Sequence, residues 1–205
     1  MKINTNRCNR IRYTLWSPGY DLIGRVFELS RKKSIDSLQI KPGDKVLIIG
    51  AGTGLDLEFL PAHCEITAID LTPSMLERLK KRSMNLHLDV RAITMDAHSL
   101  EFEDQSFDKI ILHLILAVIP DPVLCIREAS RVLKKGGTAT VFDKFVPTGR
   151  KVSLKRRLAG FFANIIASDL TRHFETIIAE SDLKVISDED AGWNGNFRLI
   201  KLLKE

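Results

Sequence analysis

An α/β fold, doubly wound around a mostly parallel sheet with helices on both faces, is the architecture this sequence predicts. Three observations predict it. From about residue 44, short apolar runs alternate with helical stretches, the pattern of strands joined by crossover helices. The first run, KVLII at 45–49, leads directly into a glycine-rich turn, GAGTG at 50–54. The second, EITAID at 65–70, ends on an acid, Asp70, twenty residues beyond the first glycine.

The elements follow in order. KVLIIG reads as the first strand and EITAID as the second, with the glycine turn opening a helix between them. PSMLERLKKRS is a helix carrying Pro73 in its first turn, where a missing N–H does no harm. LDVRAITMD is the third strand and FDKIILHLIL the fourth. PVLCIREASRVLKKGG is a helix with cations in its last turn and glycine at its end, as the dipole and a left-handed cap prefer. TATVFDKF is the fifth strand, and KVISDED and NFRLIKLL close the sheet. Residues 1–40 form a helical N-terminal cover, with LIGRVFELSRKKSIDSL at helical period. One domain results: the cover at 1–40, a core at 41–146, and a basic amphipathic insert with the closing strands at 147–205.

Composition sets bounds. A chain of 205 residues, 44% of them hydrophobic, suffices for one well-buried core. There is no apolar run of about 18 residues or more, so no transmembrane helix is expected. The polar, basic start lacks the apolar centre of a signal peptide. Cys8, Cys64 and Cys125 are widely spaced and lack metal-ligand spacing. They read as unpaired thiols in a reducing cytoplasm, with no metal expected. The pI near 9.2 raises nucleic acid as a partner, but no RNA- or DNA-binding module is visible and none is expected to bind.

The glycine turn decides the ligand. Glycines let the backbone turn sharply and let a ligand approach the main chain. A dinucleotide fingerprint needs a glycine at its sixth position; here that position is Leu55 and the glycine comes early, at Gly54. This counts against NAD and FAD. Asp70 can accept hydrogen bonds from both hydroxyls of a ribose, which any adenosine ligand carries. Asp96 and Ala97, just after the third strand, can meet an adenine amino group.

These residues, with FEDQSFDKI, a Pro-Asp-Pro helix start and RVLKKGG, resemble the class I S-adenosylmethionine-dependent methyltransferases over 44 to about 145. The resemblance implies a seven-stranded Rossmann-like sheet and S-adenosyl-L-methionine as cofactor. It places the methionine part at Gly50, Ala51, Gly52, Thr53 and Gly54, the ribose at Asp70 with Leu71 and Met75 nearby, and the adenine at Asp96 and Ala97. His113 and Leu114 would face the methyl-donor pocket. No catalytic triad is visible, in keeping with a displacement that needs chiefly orientation and exclusion of water.

The lead-in RYTLWSPGYDLIGRVFELSRKKSI resembles that of bacterial phospholipid N-methyltransferases and, more loosely, of the ubiquinone/menaquinone-biosynthesis methyltransferases. By that similarity Tyr20 closes the donor pocket, and Tyr13 and Trp16 line the acceptor side. GRKVSLKRRLAGFFANIIASDL joins an apolar stripe to clustered cations, including Arg156 and Arg157, which suits an anionic membrane surface on its cytoplasmic side. Packing of the stripe on the sheet explains it equally well. Lys144 is a further candidate for the substrate. Were the acceptor a phosphoethanolamine amine, His113, Asp143 and His173 would be the bases to test.

A lipid-associated acceptor is thus the expectation, phosphatidylethanolamine first and a quinone precursor or other small amphiphile second. From other classes, an NAD-dependent oxidoreductase is disfavoured by Leu55 and by the lack of a hydride-transfer constellation. A non-catalytic adenosine-ligand-binding protein stays open.

Overall fold

The computed structural model describes residues 5–6, 8–11, 25–146, 171–192 and 195–205. Seven strands form one sheet: β1 (Lys45–Ile49), β2 (Glu65–Asp70), β3 (Val90–Thr94), β4 (Phe107–His113), β5 (Leu133–Lys144), β6 (Leu183–Asp190) and β7 (Phe197–Lys204). Their order is β3-β2-β1-β4-β5-β7-β6. The first five run parallel, and β7 lies antiparallel between β5 and β6. The chain therefore builds outward from β1 in one direction and then restarts at β4 in the other. The gap beyond the carboxyl ends of β1 and β4 is the switch point where such sheets take their ligands.

Helices that flank the sheet among the described residues include α1 (Glu28–Ser37), α2 (Pro73–Asn85), α3 (Pro122–Val132) and α4 (Phe174–Ile178). Alternation along β1 shows how the two faces are divided. Val46 and Ile48 pack with Ile35 of α1 and Leu76 and Leu79 of α2. Leu47 and Ile49 point the other way, into a core with Ile126 and Ala129 of α3 and Phe174 and Ile177 of α4. A third cluster joins Phe142 of β5 to Phe197 and Leu199 of β7, with Phe27 and Leu114 against it.

Three local readings are corrected. The glycine turn opens only a 3-10 segment, Leu55–Phe59, because Asp56 is drawn inward and Pro61 follows closely. The fourth strand stops at His113, since Leu114 adopts a left-handed φ of 57° that no strand continues through. The helix ending in KKGG stops at Val132, before either lysine. Its terminal carbonyls are met by a distant cation: Lys204 Nζ donates to the Ser130 carbonyl at 2.6 Å and to that of Leu133 at 2.9 Å. Lys134–Gly137 then form a bulge, so that the β4–β5 register jumps from Phe107↔Leu133 to Lys109↔Thr138.

Gly54 shows what the turn demands. Its φ is +80°, and a Cβ there would lie 2.9 Å from Leu79 Cγ on α2. Gly136 has a similar φ of +74° but open space where a Cβ would go. Gly54→Ala should cost about 2–4 kcal/mol of unfolding free energy, left-handed strain plus overpacking. Gly136→Ala should cost only about 1 kcal/mol. Urea denaturation of the two variants checks the difference.

Candidate functional site

A cleft opens at the switch point. Its walls are the turns that follow β1, β2, β3 and β4, and residues Asn6, Asn9 and Arg10 form its remaining side.

Asp70 organises the first two turns. One carboxylate oxygen accepts the Gly52 N–H at 2.9 Å and the other the Thr72 N–H at 2.8 Å. Burial pushes its pKa up, and these backbone donors offset part of the rise. Asp70 lines the cleft, where a carboxylate is an acceptor for a ligand's hydroxyls. Gly50, with φ +71°, sits under Ile115, whose side chain occupies the space a Cβ would need. Leu71 and Met75 line the cleft beside Asp70.

Asp96 and Ala97 line the far end. Asp96 Oδ1 accepts the His98 backbone N–H at 3.0 Å and meets His98 Nδ1 at 2.8 Å. Asp96 Oδ2 accepts from Asn6 Nδ2 at 2.5 Å, and Asn9 Nδ2 donates to the Val118 carbonyl at 3.0 Å. Neither asparagine was singled out in the sequence. Their contacts span 90 and 109 residues, a separation at which no periodicity or spacing carries a signal.

Of the residues expected at the cofactor, Gly50, Gly52, Asp70, Leu71, Met75, Asp96, Ala97 and Leu114 line this cleft. Ala51, Thr53 and Gly54 do not; all three are buried in the body of the turn. Tyr13, Trp16, Tyr20, Arg156, Arg157 and the basic amphipathic stretch lie outside the described residues.

The expected bases are placed elsewhere. His113 is 4% exposed and both ring nitrogens are engaged. Nδ1 meets Asp56 Oδ1 at 2.7 Å, and Nε2 meets Ser34 Oγ at 2.8 Å. A carboxylate can only accept, so Nδ1 carries a proton. Asp56 Oδ1 also takes Arg31 Nη1 at 2.7 Å, and Ser34 continues to Thr140 at 2.6 Å. His113 thus belongs to a buried chain under the glycine turn and does not line the cleft. Asp143 is fully buried, its oxygens accepting from Ala117 N at 2.9 Å and Lys144 N at 2.7 Å. Burial raises its pKa, partly offset by the Lys144 and Arg172 charges. It pins the turn after β4 to β5. His173 occupies the N-cap position of α4 without a side-chain capping bond, away from the cleft lining. Lys144 ends β5 with its ammonium 5.9 Å from the Phe197 ring centroid.

A β3-β2-β1-β4-β5-β7-β6 sheet, with a glycine turn after β1 and acids ending β2 and following β3, defines the class I methyltransferase fold. Comparisons with known proteins agree. Residues 47–141 match the family model described as a methyltransferase domain. A phosphatidylethanolamine N-methyltransferase of Cereibacter sphaeroides is 27% identical over 92% of this chain and 94% of its own. A demethylmenaquinone methyltransferase of Staphylococcus haemolyticus is 30% identical, over 64% of this chain and 59% of its own length. The YcgJ protein of a Bacillus species superposes with a TM-score of 0.73 at 18% identity, covering 86% of this chain and 98% of that one. The geranyl diphosphate C-methyltransferase of Streptomyces coelicolor, solved with S-adenosyl-L-homocysteine, gives 0.72 at 16% identity, over 89% and 82%. The chain carries a methyltransferase domain and is an S-adenosylmethionine-dependent methyltransferase.

The Asp56 chain makes a stability prediction. Arg31 and His113 hold the Asp56 pKa well below its ordinary value of 3.8, against the effect of burial. Its contribution is therefore complete above about pH 3.8 and fades as pH falls toward the folded-state value. Asp56→Asn should cost about 3–5 kcal/mol near neutrality, because it removes the charged partner from a buried pair. The penalty should shrink below about pH 3.8. Urea midpoints of wild type and variant between pH 3 and 7 read both effects.

Proposed function

We propose that the chain methylates the amine of a phospholipid head group of the phosphatidylethanolamine type, working at a membrane surface. The observation that carries this reading is the relative of that activity, matched over 92% of this chain and 94% of its own. The quinone enzyme is matched over only 59% of its length, so this chain spans less than two thirds of it. Its slightly higher identity of 30% keeps a quinone precursor as the second reading.

The site's chemistry supports a lipid phosphate ester. Leu114 belongs both to the cleft lining and to the Phe27, Phe142 and Phe197 cluster. Lys144 stands over that cluster at the end of β5. Leu114 gives the cleft an apolar surface backed by that buried cluster, and an apolar surface with a cation nearby suits a phosphate head group attached to acyl chains. Among the described residues no helix is long and apolar enough to cross a membrane. Contact with the bilayer would then fall to the basic amphipathic stretch around Arg156 and Arg157.

S-adenosylmethionine, when bound, supplies a sulfonium methyl already activated for displacement. What this chain's residues must do is orient and exclude water. Asp70 would hold the ribose and Asp96 the adenine amino group. The turn after β4, pinned by Asp143, would set the wall beside the acceptor. Among the described residues, His113 and Asp143 lie buried off the cleft and neither takes the acceptor's proton, so on this reading the amine arrives neutral, having lost its proton to solvent.

Methyl transfer from tritiated S-adenosylmethionine to phosphatidylethanolamine vesicles tests the substrate. Label should enter the head group, with the rate rising with pH across neutrality as the amine deprotonates. Label found only on a demethylated quinone would reverse the order of the two readings. Calorimetry with S-adenosylhomocysteine tests the site: Asp70→Asn should weaken binding by about 10- to 100-fold. Wild-type affinity should fall on acidification, because burial raises the Asp70 pKa and the ribose bonds favour its ionised form. The variant should show a flatter profile.

A further inference from the structure

We propose that His98 is a positioning residue that fixes the Asp96 carboxylate and thereby sets the preference of the cleft for a 6-aminopurine. The inference rests on the reading that Asp96 receives the adenine of the methyl donor. It concerns a residue that the glycine turn, the ribose acid and the acceptor wall leave unused.

His98 is clamped at both nitrogens. Nδ1 meets Asp96 Oδ1 at 2.8 Å, and Nε2 accepts the backbone N–H of Asp121 at 3.2 Å. Asp121 is the N-cap of α3, and its carboxylate accepts the Leu124 N–H at 3.0 Å. A carboxylate only accepts and a backbone N–H only donates, so both contacts require the tautomer with its proton on Nδ1. Asn6 Nδ2, 3.3 Å from the same Nδ1, then directs its hydrogen to Asp96 Oδ2 instead.

The consequence is a division of labour between the two oxygens of Asp96. Oδ1 takes two N–H groups of His98, backbone and ring, and is held in plane. Oδ2 accepts from Asn6, and both residues line the cleft, so Oδ2 is the oxygen assigned to a ligand. A fixed, acceptor-only oxygen rewards a ring substituent that donates, and an amino group is such a substituent. A site built to hydrogen-bond one group rejects the analogue lacking it, because its own polar atom is left unpaired. Without the ring N–H the carboxylate can rotate, and the reward becomes less directional. His98 also connects this oxygen to the start of α3, so purine recognition is anchored to a regular element and not only to the turn after β3.

The experiment compares two ligands on the full-length chain by calorimetry. One is S-adenosylhomocysteine. The other is its 6-deamino analogue, which keeps the ring nitrogens and lacks the amino group. Wild type should favour the first by tenfold or more, the value of one hydrogen bond to a charged acceptor. His98→Leu should lower that ratio severalfold toward one. His98→Asn, whose side-chain N–H can replace Nδ1–H, should restore most of it. A His98→Leu variant that weakens both ligands equally, ratio unchanged, would show a structural role only and overturn the proposal. Wild type that binds both ligands equally would overturn it too, by removing Asp96 from purine recognition. Wild type that binds neither ligand would instead refute the donor-site reading itself.

Discussion

Oδ1 of Asp56 receives both Arg31 and His113 at 2.7 Å, and the geometry of the donor cleft depends on that junction. Four elements meet there: α1 through Arg31 and Ser34, the glycine turn through Asp56, β4 through His113, and β5 through Thr140. Replacing such a set with apolar residues of similar volume is often neutral, whereas removing one partner is costly. The junction therefore acts less as a source of stability than as a constraint. Any shift of α1 relative to the glycine turn breaks the buried Arg31–Asp56 pair. That cost keeps the turn at one height above the sheet, and Gly50 and Gly52 with it.

The same carboxylate economy recurs at the cleft. Asp70 holds the first two turns together through Gly52 N and Thr72 N, and lines the cleft beside them. Asp143 does the corresponding work for the turn after β4 through Ala117 N. Each acid is bound on its inner side by backbone N–H groups, which direct it without neutralising it. What separates them is access. Asp70 lies on the cleft wall, whereas Asp143 is fully buried and can act only through the turn it holds.

Most of the sheet was legible because each strand carries its own signal. Val46, Leu47, Ile48 and Ile49 are apolar on both faces, as a central parallel strand must be. Asp70 was legible as a cleft residue because strand, glycine turn and acid occur at fixed offsets in one βαβ unit. His113 was misread for a physical reason. Its place at the end of β4 puts it near the cleft in sequence, but its ring points into the Asp56 junction while Leu114, one residue on, lines the cleft. The end of α3 was misread because its cap is supplied by Lys204, 74 residues from Ser130. Long-range partners of this kind leave no local pattern.

The positions of His113 and Asp143 bear on how such a site handles an amine. A buried imidazole that already donates to Asp56 could take a ligand's proton only by breaking its contact with Ser34. Asp143 is fully buried and does not line the cleft, so it could meet a ligand only if the turn it holds moved away. Either act would disturb the alignment on which an in-line displacement depends. Orientation and proton transfer thus make opposing demands on the same residues, and this fold has committed them to orientation. Because the methyl group arrives activated by its own positive charge, alignment is the contribution worth protecting. Were the acceptor an amine, its proton would be better lost before alignment than through it.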